Sequence, residues 1–248
     1  YTRLFVGSSD VYKRQLVPCI TAAMAAFGVS ALMGVEPTRF TVSMPRVTLE
    51  LMLPVVVLSI LCALVSILFC KGLHWTEHLL TRSFRNPWLR VLAGAAILIV
   101  LSLLTNGDYN GAGMDVIARA LRGDVSGWAW LWKLLFTAVT IGCGFKGGEV
   151  VPSFFVGAAF GCFMGGLLGL PAGFAAAIGL VAVFCGAVNC PVASVLLSVE
   201  LFGSAGAPYF AVACALSYLL SGYCGLYSSQ TILYSKLRAE FINVRTHE

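Results

Sequence analysis

Long apolar stretches dominate this chain, and charged positions gather in a few clusters between them. Residues 16–35 carry no charge and are followed by a polar loop with Glu36, Pro37, Arg39, Pro45 and Arg46. A second apolar segment, 49–70, has Glu50 at its start. Each is long enough to cross the ~30 Å hydrocarbon core of a bilayer as a helix. Lys71, His74, Glu77, His78, Arg82, Arg85 and Arg90 then form a basic stretch, predicted as a cytoplasmic loop because Lys and Arg are retained on that side. A third apolar segment covers 87–105. The connection 106–126 sets Asp108, Asp115 and Asp124 against Arg119 and Arg122 and is expected on the outer side, with a short helix over 114–121. The fourth segment, 127–143, opens with Trp128, Trp130 and Trp132, which suit a membrane interface. Lys133 beside them is expected to snorkel to that interface.

Beyond this point the pattern changes. From Glu149 to Ser235 the charged residues are Glu149 and Glu200, yet the stretch is cut by Pro152, Pro171, Pro191, Gly203, Pro208 and Gly225. The pieces predict helices over 152–169, 172–187, 191–203, 207–222 and 226–242, several too short to cross a bilayer alone. Broken helices at membrane depth survive where they are buried in protein or line a cavity. Helix ends meeting at mid-membrane are a common setting for an ion or substrate site. Gly157, Gly161, Gly165 and Gly169 recur every four residues. That stripe suits close packing against a neighbouring helix, with a flexible hinge as the alternative.

Composition narrows the class. Of 248 residues, 59% are hydrophobic and 11% charged, with mean hydropathy +0.90. A soluble domain carries about a quarter charged residues, so this chain has too little polar surface for water. Soluble enzymes, disordered tails and disulfide-stapled modules are excluded, and the expected class is an all-α integral membrane protein. The net charge of +5 lies in a few loops and near the C-terminus, so no nucleic-acid partner is expected. Nine cysteines fall mostly inside apolar runs without a CxxC pair and read as buried small apolar residues, a metal site being the alternative. No Walker loop, HExxH or GxSxG occurs, so no enzymatic activity, catalytic residue, cofactor or metal is expected.

The string that suggests chemistry is Lys146-Gly147-Gly148-Glu149-Val150-Val151-Pro152-Ser153-Phe154-Phe155. Two glycines should let the backbone turn tightly. Pro152 fits the first helical position, where its missing N–H costs nothing. The resulting helix N-terminus would expose unpaired amides at the positive end of the dipole, a seat for an anion. Amides hold an ion without the grip of a full charge, so it can leave again. Glu149 has two readings: a carboxylate that satisfies the amides of its own helix, or an ionisable group on a proton or ion path. Glu200, near a helix end, reads as a structural acid. Tyr227, in Gly225-Leu226-Tyr227-Ser228-Ser229-Gln230, would open the last helix. Its phenol is a neutral donor for an anion or an interface tyrosine.

Taken in order, these residues resemble the chloride-channel (ClC) family. Gly147 to Pro152 followed by Phe155-Val156-Gly157-Ala158 is similar to that family's third anion-site motif. Gly186 to Pro191 followed by Glu200 resembles its segment of small residues, a proline and a helix ending in glutamate. Leu226-Tyr227-Ser228 resembles the start of its final helix. The resemblance implies the second of two inverted repeats of broken, tilted and re-entrant helices. It implies anion contacts at Gly147, Gly148 and the Glu149 and Val150 amides, with the Tyr227 hydroxyl as a further donor. It also implies a homodimer formed through faces near 16–34, 191–203 and 207–222.

The family usually carries an apolar residue where Glu149 stands. Glutamate there resembles the bacterial branch that exchanges fluoride for protons, in which threonine often occupies the place of Val151. Glu149 and Val151 are therefore candidates for a proton or ion pathway. The expected function is fluoride/proton antiport, with a chloride channel or chloride/proton antiporter as the first alternative and a membrane assembly subunit without a pore as the second. The family's first two anion motifs are not found, so the chain is expected to be the C-terminal part of a subunit that does not transport by itself. Residues 1–15 resemble translated adaptor sequence and are expected to be a non-native leader. Residues 16–235 would form the membrane domain and 236–248 a short basic cytoplasmic tail, in the inner membrane of a bacterium and in contact with lipid.

Overall fold

The computed structural model describes residues 7–35, 38–227, 230–236 and 241–246, with side chains throughout these except at 7–16, 233, 234, 243 and 245. Glu36 and Pro37, Ser228 and Ser229 beside Tyr227, and Arg238 and His247 lie outside the described residues. Two compact units divide the chain at Arg39. In the first, one helix, α1 (Gly7–Leu32), starts inside the expected leader and carries Pro18 within it.

The second unit holds α2 (Leu49–Ser83), α3 (Pro87–Leu104), α4 (Met114–Arg122), α5 (Ala129–Gly142), α6 (Val150–Leu168), α7 (Ala172–Val188), α8 (Pro191–Phe202) and α9 (Ala207–Leu220). The expected all-α architecture is thus present, with most helices within two residues of the apolar segments. Two departures matter for the site. First, α2 does not stop at Cys70: it runs on through the stretch predicted as a basic loop and ends at Phe84. Nothing from Lys71 to Ser83 breaks a helix; the run contains no proline, and its one glycine, Gly72, packs against Leu134. At 1.5 Å per residue its 35 residues span about 50 Å.

The second departure is at the C-terminus. Among the described residues the predicted helix 226–242 is absent, and two antiparallel strands, β1 (Thr231–Tyr234) and β2 (Phe241–Arg245), stand there. Ile232 opposes Val244 and Tyr234 opposes Phe241. Branched and aromatic side chains of this kind favour a pleated ladder over a helix. The two strands pair across the expected boundary between membrane domain and tail.

The core is centred on α7, which is apolar all round and buried from Phe174 to Val183 and again at Cys185, Gly186 and Ala187. A helix without a polar face is buried in a protein core or spans a bilayer, and the burial of α7 shows the former. It packs on α2, α4, α6, α8 and α9. Against α6 the glycine stripe makes a backbone-to-backbone contact. A Cβ at Gly157 would lie 2.4 Å from the Gly179 carbonyl oxygen, one at Gly161 2.3 Å from that of Ala175, and one at Gly165 2.4 Å from the Ala175 Cβ. Close packing is therefore the use of the first three glycines; Gly169 ends the helix in a left-handed conformation. By contrast α3 buries only Gly94, against Cys143, and exposes Trp88, Leu92, Ile99, Leu103 and Leu104.

Candidate functional site

The candidate seat is the connection from α5 to α6. The turn after α5 is made by Gly144, whose φ of +93° belongs to the left-handed region. Gly147 and Gly148, expected to supply the tight turn, have no positive φ. They do not serve close packing either, since a Cβ on either would meet nothing within 4 Å. What their missing side chains provide is space in front of the next helix.

That helix begins at Val150 with Glu149 as its N-cap, so Pro152 is the third helical residue and not the first. Proline is still accommodated, because the first turn has no intrahelical use for its N–H. The first backbone bond runs from the Ser153 amide to the Glu149 carbonyl at 3.1 Å. The Val150 and Val151 amides precede it and have no acceptor within the helix. The Glu149 side chain makes no capping bond. The Ser153 hydroxyl is occupied locally, donating to the Val150 carbonyl at 2.6 Å.

Two cavities meet at this turn, and Ile141, Gly147 and Gly148 line both. One, of about 860 Å³, is lined by Glu149, Val150, Leu226 and Tyr227, together with His74, Glu77, Arg90 and Lys146. The other, of about 540 Å³, is lined by Val151, Pro152, Lys133, Thr137, Thr140 and the loop 109–112. Gly147, Gly148, Glu149, Val150 and Tyr227 therefore share one cavity, whereas Val151 faces the other. Glu200 lines neither; it is exposed on α8.

Tyr227 does not open a helix, so its position has other causes. The Leu226 amide donates to the Ala187 carbonyl at 2.9 Å, and the Gln230 side chain donates to the Val188 carbonyl at 3.1 Å. Both satisfy carbonyls at the C-terminus of α7. Asn189, in a left-handed conformation after α7, donates to the Cys224 carbonyl at 2.9 Å. After β2, Thr246 Oγ1 donates to the Tyr227 carbonyl at 2.7 Å. From the unexpected extension of α2, His74 Nε2 lies 3.2 Å from the Gly225 carbonyl. The phenol is partly exposed to the cavity, and its hydroxyl has no partner among the described residues.

Two lysines depart from expectation. Lys133 does not snorkel. It is buried, and its Nζ donates to the Gly111 carbonyl at 2.6 Å and the Tyr109 carbonyl at 3.0 Å. A buried ammonium needs such partners, and the loop after α3 supplies them. Of the Trp residues, Trp128 is exposed, while Trp130 packs edge-on against Phe160. Lys236, read as the start of a basic tail, turns inward. Its Nζ donates to Asn189 Oδ1 at 2.5 Å, the Tyr218 carbonyl at 2.8 Å and Ser221 Oγ at 3.1 Å. It thereby ties the strand pair to the ends of α7 and α9. Sequence reasoning also missed Arg90, His74 and Glu77 as cavity residues, because the stretch carrying them looked like a surface loop.

Residues 6–222 match the model of the voltage gated chloride channel family. A "Chloride/fluoride channel protein" of Pseudomonas syringae pv. tomato is 38% identical over 230 residues, covering 89% of this chain and 51% of that protein. The "Voltage-gated ClC-type chloride channel ClcB" of Salmonella typhi is 27% identical over 219 residues, covering 82% and 51%. The crystal structure of a CLC-type fluoride/proton antiporter superposes with a TM-score of 0.82 at 30% identity, covering 87% of this chain and 55% of that one. The chain thus spans about half the length of these relatives. Among the described residues three helices, Leu49–Ser83, Pro87–Leu104 and Val150–Leu168, are long and apolar enough to cross a membrane. The chain belongs to the voltage-gated chloride channel family, a family of multi-pass membrane proteins.

Proposed function

We propose that this chain is the C-terminal half of a subunit that moves a halide across the membrane, with fluoride exchanged for protons. The observation that carries the reading is the shared cavity: Glu149, Val150 and Tyr227 line one volume of about 860 Å³. Unpaired amides at a helix N-terminus stabilise a small anion, and a phenol adds a donor without a fixed charge. Glu149 is the proton carrier in this reading. It stands at the seat, and its carboxylate is not used as a cap. When protonated it donates to the anion; when ionised it competes with it. The fluoride assignment rests on a glutamate at this position and on likeness to the fluoride/proton antiporter. Val151, without a hydroxyl, leaves the chloride channel or chloride/proton antiporter as the second reading. Glu200 serves as a structural acid at the end of α8. The molecule works as a homodimer through faces near 16–34, 191–203 and 207–222, in a bacterial inner membrane with the C-terminus in the cytoplasm.

The test is efflux from liposomes holding the complete subunit, with fluoride and chloride compared and protons followed together. Fluoride efflux at least ~10-fold faster than chloride is expected, with proton movement in fixed proportion; tenfold corresponds to about 1.4 kcal/mol of discrimination. Equal rates for the two ions would transfer the assignment to the chloride branch. No efflux of either, from protein that is folded and inserted, would support the assembly-subunit reading.

A further inference from the structure

The cavity shared by Glu149 and Tyr227 contains a guanidinium that the anion seat itself does not require. Arg90 lines it from the first turns of α3, four residues after the N-cap Asn86. Its Nη1 donates to the Thr81 hydroxyl at 2.6 Å, which fixes the plane of the fork. Its Nε is buried and has no hydrogen-bond partner. Glu77 and Glu149 line the same cavity, yet Arg90 makes no ion pair with either among the described residues. Gly144 lies against it: a Cβ there would sit 3.2 Å from Nη2. Glycine at 144 thus leaves the niche open.

This placement is unfavourable for α3 alone. The N-terminus of a helix carries partial positive charge and favours acids. The first turn of α3 has no acid to offset the guanidinium. A cavity-lining guanidinium that makes no ion pair with a carboxylate among the described residues keeps a charge that a small anion complements. We propose that Arg90 is a second anion station, a site where a small inorganic anion is held before or after it reaches the Glu149–Val150 amides. The inference rests on the halide-transport reading of the cavity and adds the group that collects the ion. Two sources share this chemistry, a free halide and the phosphate of an anionic lipid headgroup. The structure favours the free ion, because the guanidinium lines the cavity that holds the seat.

The test uses the complete subunit in vesicles of neutral phosphatidylcholine, with halide varied on one side at a time. R90Q should raise the half-saturating halide concentration on one side by roughly fivefold to tenfold at low ionic strength, the size expected for losing a charge-assisted contact. The maximal rate should stay within about twofold, and the shift should shrink in high salt as exposed charges are screened. R90K, which keeps the charge but not the fork, should fall between. Unchanged melting temperature and elution volume establish that R90Q is folded. Bromide anomalous scattering in crystals of the wild type should place a peak beside Arg90 that R90Q lacks. Wild-type half-saturation in R90Q, or an effect present only when anionic lipid is added, would overturn the proposal, the latter by assigning Arg90 to a headgroup. If the wild type moves no halide at all, the transport reading fails, and the bromide peak alone decides whether Arg90 holds an anion.

Discussion

Glycines 148 and 161 show what one hydrogen atom can do in two different settings. At Gly161 a methyl group would sit 2.3 Å from a backbone carbonyl of α7, and no rotamer change can relieve a contact with backbone. G161A should therefore cost about 1–3 kcal/mol, the usual size of overpacking in a filled interior, read as a lower melting temperature of the detergent-solubilised protein. At Gly148 the same methyl meets nothing within 4 Å. G148A should leave the melting temperature within about a degree, while G148V, which fills the space between the two cavities, should slow halide efflux by tenfold or more. A G148V protein that transports normally would show that the ion does not pass this turn. Glu149 gives the third prediction at this scale. E149Q keeps the shape and removes the titration, so protons moved per halide should fall at least fivefold while the halide still crosses. Intact coupling in E149Q would return Glu149 to a purely local role. The glycine-flanked string and the stripe were legible from sequence because spacing alone marks them. Which glycines pack and which open space was not, since that depends on what stands opposite.

Among the elements, the apolar helices were legible because bilayer-length hydrophobic runs and prolines punctuate the sequence clearly. The two failures share a cause. The stretch 71–83 is polar enough to read as a loop, yet polar residues continue a helix wherever nothing breaks it, and here they form a wall of the cavity. The stretch 226–242 is apolar enough to read as a helix, yet Ile232, Tyr234, Phe241 and Val244 pair across a ladder. Lys236 locks that ladder to the helix ends and supplies a pH test. Burial pushes its ammonium down to about 8 from the ordinary 10.5. Below pH 8 both folded and unfolded chains hold the proton, and the folded state bears the cost of a desolvated charge. Between about 8 and 10.5 the unfolded chain binds more protons, so stability rises with pH across that window. Melting temperature should increase over it in the wild type, and the increase should be smaller in K236M. Identical slopes in the two proteins would mean that the lysine is solvated and the latch open.

At the scale of the molecule, the exposed apolar residues are not spread evenly. On α8 the serines at 194 and 198 turn inward, while Val192 and Leu196 on the other side are exposed. In a membrane such residues can face lipid or a second copy, and dimers of this kind repeat one patch on both partners. The proposed homodimer makes V192K/L196K a direct test: single-molecule photobleaching counts should move from two steps toward one, with dimerisation weakened at least tenfold. Counts that stay at two would place the partner elsewhere. A last consequence follows from the two cavities that touch at Gly147 and Gly148. If the two cavities open toward opposite faces of the membrane, water on either flank conducts far better than protein, and a transmembrane voltage would drop mainly over this short septum. One elementary charge crossing it would then sample most of the potential within a few ångströms, about 2.3 kcal/mol for each 100 mV, and turnover would respond to voltage although no helix need move far.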